Sequence, residues 1–347
     1  MKPKITLSKI AEHAGLSLAT VDRVLNSRLP VREGTARQVI AAAESLGYHA
    51  AGLMRERQKE RAPVRHLGFC LQKRADPFYQ ALGLALQQAA TNNKPETCVA
   101  HIAYMDALEP AAIAEQLMAM GKTVDALAVV AVDHPHVTAA IAVLQMAGKP
   151  SFALLSDLSA PQRAGYIGLD SRQCGRTAAW AVSRLSKRGG EVGVFVGSHR
   201  YLGHELAEIS FRSYLREHAP QFRVLDSLVN LEDAQLAHEA TLELLARHPN
   251  LVGIYVAGGG MPGIVRALRT EGTAHDIVVV GNELTADNRA ALIDGIVDLV
   301  IQTPLTKLAE TTVSNMLSAL AAGEAPSSPV QHLLPMELFT PENFSSI

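Results

Sequence analysis

The sequence predicts an all-α helix-turn-helix head joined to an α/β body of two doubly wound parallel-sheet lobes. Up to residue 46 the apolar residues recur only at helical spacing, in three short segments. From about residue 64, short apolar runs alternate with amphipathic helical stretches, the pattern of repeated βα units. The chain is 347 residues long, and some ten strands over its last 280 or so residues fit two sheets better than one.

Hydrophobic residues make up 48% and charged residues 19%, an ordinary globular balance that excludes a disordered chain. No apolar run reaches the roughly 18–20 residues needed to span a bilayer. Met1-Lys2-Pro3-Lys4 leads into a polar helix with no apolar signal core, so a cytoplasmic protein is expected. Cys70, Cys98 and Cys174 are widely spaced and form no CxxC pair, which reads as reduced thiols. The net charge of −2 is uneven: residues 1–62 hold 11 Lys/Arg against 6 Asp/Glu, and the rest holds 21 against 28. A basic head on an acidic body suits contact with a polyanion at one end, although a solvated basic face would look the same.

In the head, Leu7, Ile10, Ala11 and Ala14 share one helix face, with Thr6 ahead as N-cap. Gly15 supplies a corner that tolerates positive φ. Ser17 caps a second helix, Leu18 to Asn26, that buries Val21 and either Val24 or Leu25. A third helix, about Glu33 to Leu46, carries Ala36, Val39, Ile40 and Ala43 and ends at Gly47. The spacing alone fits either a helix-turn-helix or an ordinary three-helix bundle.

The residues decide further. Ile5-Thr6-Leu7-Ser8-Lys9-Ile10-Ala11-Glu12-His13-Ala14-Gly15-Leu16-Ser17, then Thr20-Val21-Asp22-Arg23-Val24-Leu25-Asn26, with Thr35-Ala36-Arg37 and Gly47-Tyr48, resembles the DNA-binding headpiece of the lactose/galactose repressor family. The resemblance implies that Leu18, Ala19 and Arg23 face base edges, with Thr6, Ser17, Thr20 and Asn26 near phosphates. Asp22 stands where the family more often has serine. The linker departs too: His49 to Lys59 lacks the family's Pro-Asn and wedge leucine, and Arg57 stands about where that leucine would be. Arg55 and Arg57 are candidates for phosphate or minor-groove contact. Leu53 or Met54 is either a substitute wedge or a packing residue.

In the body, strands are expected at His66–Leu71, 97–102, 126–132, 151–155, 165–168, 191–196, 223–228, 253–257, 277–281 and 299–302. Helices such as 78–92, 110–120, 137–147, 172–185, 204–217, 235–247 and 262–270 separate most of them. Asp76-Pro77-Phe78-Tyr79, Ser156-Asp157-Leu158, Tyr166-Ile167-Gly168-Leu169-Asp170 with Gly175-Arg176-Thr177, and Ile301-Gln302-Thr303-Pro304 make residues 64–323 similar to the type I periplasmic binding-protein fold. That resemblance implies a headpiece over 1–48, a hinge over 49–63 and a two-lobed body over 64–330. The N-lobe would be about 64–168 and 303–323, the C-lobe about 169–302 and 324–340, and 341–347 a tail. The chain would cross between lobes near 168–170, 302–304 and 324–330.

Ligands of open α/β sheets bind at the carboxyl ends of strands. A sugar needs oxygen acceptors around its rim and a ring against its apolar face. Phe78 and Tyr79 are the stacking candidates, and Asp76, Asp157, Glu283 and Gln302 the hydroxyl-binding ones. His199, Tyr201 and His204 are expected at the rim, and Glu205 stands where ribose-type proteins have an arginine. A polyol or amino-bearing ligand is thereby favoured over a phosphorylated or acidic sugar. The bland readings stand beside these: the aromatics as core, Asp76 as a helix cap and Asp170 as structural.

Gly258-Gly259-Gly260-Met261-Pro262-Gly263 matches GxGxxG after a strand, with Glu283 twenty residues on, so a nicotinamide-dinucleotide sensor is the alternative. His134, His136, His199 and His204 lack the further ligands of a metal set. No nucleophile elbow, P-loop or HExxH helix is present, so no enzyme, cofactor or metal is expected. The expected protein is a homodimeric, DNA-binding transcriptional repressor whose operator affinity follows a sugar or sugar-like effector bound between two lobes.

Overall fold

Three short helices make the head: α1 (Leu7–Ala14), α2 (Leu18–Leu25) and α3 (Glu33–Ser45). The computed structural model describes residues 5–26, 31, 33–48, 64–93, 96–106, 108–273, 276–323 and 328–343, without the side chains of Glu33 and Arg37. Ile10, Ala11, Ala14, Val21, Leu25, Val39, Ala42 and Ala43 form one buried cluster, which the 3.6-residue spacing anticipates. Between α1 and α2, Gly15 adopts φ +64° and its N–H closes onto the carbonyls of Ala11 and Glu12. Ser17 Oγ accepts the N–H of Thr20 at 3.1 Å, as expected of an N-cap. Thr6 occupies the N-cap position of α1 but its side chain makes no capping bond, which corrects the expected role. Gln38 Nε2 donates to the carbonyl of Ala14 at 2.7 Å, tying α3 to the end of α1.

By contact the chain divides into two units, one of Met1–Val64 with Asn93–Thr97, the other of Arg65–Asn92 and Cys98–Ile347. In the second unit the elements run β1 (Arg65–Gln72), α4 (Pro77–Asn92), β2 (Cys98–Met105), α5 (Pro110–Gly121), β3 (Ala126–Val129), α6 (Pro135–Met146), β4 (Ser151–Leu154) and β5 (Gly165–Leu169). They continue α7 (Ser171–Leu185), β6 (Gly190–Val196), α8 (Leu202–His218), β7 (Phe222–Val224), β8 (Leu228–Val229), α9 (Ala234–Arg247), β9 (Leu251–Val256), α10 (Met261–Glu271) and β10 (Val278–Asn282). Last come α11 (Ala286–Ile293), β11 (Leu299–Gln302), α12 (Leu305–Ala322), β12 (Val330–Leu334) and β13 (Glu337–Phe339).

These strands form two sheets, ordered β12-β5-β4-β3-β1-β2 and β13-β11-β10-β9-β6-β7, with β8 beside β6. All pairings are parallel except β13 on β11. The central strands are buried along their whole length, as continuous apolar runs demand. Each sheet has a separate apolar cluster on either face, so both lobes are doubly wound. In both lobes the strand order reverses beside the first strand, between β1 and β3 and between β6 and β9. Ligand clefts open at such points.

The chain passes between sheets after β5 and after β11, where the sequence places the first two crossings. The third is corrected. Val330–Leu334 joins the first sheet through β5, so the chain crosses at Pro335-Met336 and not at 324–330. The expected strand 223–228 is two strands, β7 and β8, broken between Val224 and Leu228.

Candidate functional site

Two surfaces carry the residues singled out in the sequence. On the head, helix α2 buries Val21 and Leu25 and turns its other face to solvent. Leu18, Ala19 and Arg23 lie on that exposed face, with Ser17 before it and Asn26 after it; Thr6 is exposed and Thr20 half-buried. Leu18 is 50% exposed, an apolar side chain placed in water at the start of a helix. Such a residue suits contact with a thymine methyl in the major groove. Asp22 Oδ1 accepts from Asn26 Nδ2 at 2.6 Å, so this acid is engaged along its own helix. Arg55 and Arg57 lie outside the described residues.

In the body, the loops at the carboxyl ends of the strands close on a cavity of about 200 Å³. The first lobe contributes Asp76, Phe78, Tyr79, Val130, Leu155 and Ser156; the second contributes Tyr201, His204, Glu232, Gly258–Gly260, Asn282, Glu283, Asn288 and Thr303. Three hydrogen-bonded contacts join the lobes around it. Lys73 Nζ donates to the carbonyls of Leu231 (2.6 Å) and Glu232 (3.0 Å). Asp133 N–H reaches the Arg200 carbonyl at 2.7 Å, and Gly203 N–H donates to Ser156 Oγ at 3.0 Å. Among the described residues, the non-glycine positions with positive φ are Lys73, Leu155, Leu231, Glu232 and Glu283. All five belong to the cavity wall or to the Lys73 bridge. Backbone strain is thus concentrated where the lobes meet.

Asp76 plays both parts open to it: its Oδ1 accepts the N–H of Phe78 at 2.9 Å, capping α4, while the residue faces the cavity. Phe78 and Tyr79 line the wall edge to face, 5.2 Å between ring centres. Glu283 accepts from Thr303 Oγ1 at 2.7 Å and from Thr303 N–H at 3.2 Å. Burial, with Asp76 adding to it, nevertheless pushes its carboxyl up to about 7. Burial also raises Glu232, against the pull of the Lys73 ammonium. His204 accepts the Gly197 N–H at Nδ1 (3.3 Å), which leaves the ring proton on Nε2. Burial pushes it down to about 4, so its approach to Glu232 at 3.8 Å is not an ion pair at neutral pH. Tyr201 Oη, Asn282 Oδ1 and Asn288 Oδ1 are buried on lining residues without a hydrogen-bond partner.

Four residues expected at this site do not line it. Asp157 is held by Arg163 through two bonds, Nε to Oδ1 at 2.7 Å and Nη2 to Oδ2 at 2.9 Å. Gln302 accepts Leu284 N–H (2.5 Å) and donates to the Thr303 carbonyl (2.6 Å), so both its amide groups serve backbone. Glu205 is exposed on α8, and His199 stands 3.7 Å from Glu208. Asp170 caps α7 through the N–H groups of Arg172 and Gln173. Lining residues that the sequence did not assign to the site include Ser171, Cys174, Glu232, Asn282, Asp287, Asn288 and Thr303. Arg163→Met is expected to lower the stability of the body by about 3 kcal/mol, because it leaves a largely buried carboxylate unpaired. Asp157→Asn should weaken folding less and leave ligand binding intact. A variant that melts normally but loses ligand would return Asp157 to the site.

The glycine run serves close packing. A Cβ on Gly258 would meet His204 at 2.6 Å, one on Gly259 would meet Glu232 at 2.9 Å, and Gly260 takes φ +95° ahead of α10. Four acids line the same cavity, a poor setting for a pyrophosphate. His134 Nδ1 caps α6 by accepting the His136 N–H, and no group of three His, Cys, Asp or Glu among the described residues could hold a metal. No described helix is long and apolar enough to cross a membrane.

Comparison with known proteins agrees with this two-part architecture. The family of bacterial regulatory proteins of the lacI type matches residues 6–50, and the periplasmic binding protein domain matches residues 67–325. The regulator GalR of Salmonella typhimurium is 34% identical over 85 residues, a match spanning 24% of the chain and 24% of that relative's length. An uncharacterized HTH-type transcriptional regulator in the aml 5′ region of Streptomyces limosus is 27% identical over 288 residues, 79% of this chain and 77% of its own. Among solved structures, a solute-binding protein of Agrobacterium vitis bound with α-D-tagatopyranose superposes with TM-score 0.71 at 19% identity, covering 80% of this chain and 95% of that one. One of Burkholderia graminis with D-arabinose gives 0.73 at 18%, covering 81% and 97%. The chain belongs to the periplasmic binding protein domain family through residues 67–325, and its residues 6–50 match the family of bacterial regulatory proteins of the lacI type.

Proposed function

We propose that this protein is a transcriptional repressor acting in the cytoplasm, a homodimer whose paired heads read the half-sites of an operator. A sugar or sugar-like effector held between the lobes sets its affinity. The observation that carries this reading is the pairing, in one chain, of an exposed helix-turn-helix face with a lobe-to-lobe cavity that holds three buried polar atoms without partners. The cavity is lined from both lobes, which hydrogen bonds join, so a ligand that fills it favours one lobe angle over another. A coupling of about 1–3 kcal/mol changes operator affinity some 5–150-fold. The solved relatives that bind tagatose and arabinose supply the first candidates.

Selection from a random duplex pool, followed by anisotropy titration at low and high salt, should enrich one sequence. Its binding should weaken steeply with salt. Tagatose, arabinose, fucose or galactose should shift that binding at least fivefold. Failure to enrich any duplex over a scrambled one would overturn the reading. Arg23→Ala is expected to lose about 1–3 kcal/mol of discrimination at one base pair per half-site, measured against single-base variants of the selected duplex.

A further inference from the structure

We propose that the effector carries a protonated amine beside its hydroxyls, making it an amino sugar or amino polyol. This rests on the reading of the cavity as the effector site. Asp76, Glu232, Glu283 and Asp287 line the cavity, and no lysine or arginine among the described residues lines it. Lys73, beside Glu232, has its Nζ committed to the carbonyls of Leu231 and Glu232. His204 is neutral at neutral pH because it is buried.

The unpartnered atoms point the same way. Asn288 is 2% exposed and its Nδ2 donates to the carbonyls of Asn282 and Glu283, so its free Oδ1 is fixed as an acceptor. Asn282 Oδ1 is a second acceptor without a donor, and Tyr201 Oη, also 2% exposed, can accept a third bond. An ammonium offers three donors and no acceptor, which matches acceptors clustered with buried carboxyl groups. Glu232 and Glu283 are both raised chiefly by burial, with Asp76 adding to it; Lys73 offsets this only at Glu232, and no cation offsets it at Glu283. A ligand cation would supply the counter-charge. A phosphorylated or carboxylated sugar is disfavoured by four acids that no lysine or arginine among the described lining residues offsets.

The test is calorimetric titration of the full-length protein at pH 7.5 with matched pairs: D-glucosamine and D-glucose, D-galactosamine and D-galactose, 1-amino-1-deoxysorbitol and sorbitol. In at least one pair the amine is expected to bind tenfold or more tightly than its hydroxyl parent, and N-acetylation should remove the advantage. Glu232→Gln should cut the amine-to-parent ratio at least tenfold, and Glu283→Gln provides the same reading should the first variant fail to fold. Parents that bind as well as their amines would overturn the inference while leaving an effector-controlled repressor intact. Silence from all six compounds would also overturn it. Operator binding, measured on the same preparations, reports separately on the repressor reading.

Discussion

Replacing Glu283 by glutamine is expected to stabilise the unliganded protein at neutral pH and to weaken effector binding at least tenfold. In the native state the carboxyl is raised from 4.5 to about 7, chiefly by burial. Its proton is therefore held more tightly in the folded chain. The resulting contribution to stability is complete below about pH 4.5 and is lost as the pH rises to about 7. The loss is on the order of 2–3 kcal/mol. Glutamine removes it and still fits, because its oxygen can accept the Thr303 N–H while its amide donates to a turned Thr303 hydroxyl. His204 acts in the opposite sense. Lowered from 6.5 to about 4, it contributes stability above pH 6.5 that is lost as the pH falls. The two slopes oppose each other between about 4.5 and 6.5, so the difference between variant and wild type is the quantity to follow. Denaturant melts at pH 4.5, 6 and 7.5 should show the advantage of the variant growing with pH. A constant difference would mean that Glu283 is hydrated and not held as the structure shows. A gain in stability joined to a loss of binding is the ordinary mark of a residue kept for a ligand.

How much of this was legible in the sequence depends on the range of the interactions. Gly15 and Ser17 follow local rules, a left-handed corner and an N-cap, and both stand where those rules put them. Nine strands of the body, β1–β6 and β9–β11, were legible, most of them because buried parallel strands are continuous apolar runs. β12 and β13 were not: their residues are mostly half-buried or exposed, and only pairing with the distant β5 and β11 makes them strands. In the cavity, Asp76, Phe78 and Tyr79 were readable because they directly follow the first strand. Asp157 follows a strand equally well, yet Arg163 six residues later claims both its oxygens. Glu232 was hidden because it follows the two-residue β8 and precedes the Asp233 cap of α9, so it reads as loop.

Gly175→Val is expected to leave the body unable to fold. Helices α7 and α8 pack against each other at this glycine, where an added Cβ would stand 2.0 Å from the carbonyl oxygen of Ala207 and 2.8 Å from its carbon. Those atoms are helical backbone, so no rotamer change relieves the clash and the helices must separate. The apolar cluster between them includes Ala178, Ala179, Phe211 and Leu215, all nearly or wholly buried. Forcing it apart costs on the order of 4 kcal/mol or more, a large part of the 5–15 kcal/mol that holds an ordinary domain. Gly175→Ala should fail in the same direction by about half as much. Gly15→Ala is the contrasting control: no atom lies within 4 Å of its added Cβ, and only φ +64° opposes it, so the loss should stay near 1 kcal/mol. The consequence at Gly175 extends to the cavity. Helix α7 brings Ser171 and Cys174 to the wall, and Tyr201 and His204 stand at the start of α8, so parting the two helices opens the cleft. Denaturant melts of the three variants check this order. A Gly175→Ala protein that melts with the wild type would show that α7 and α8 stand further apart than the structure places them.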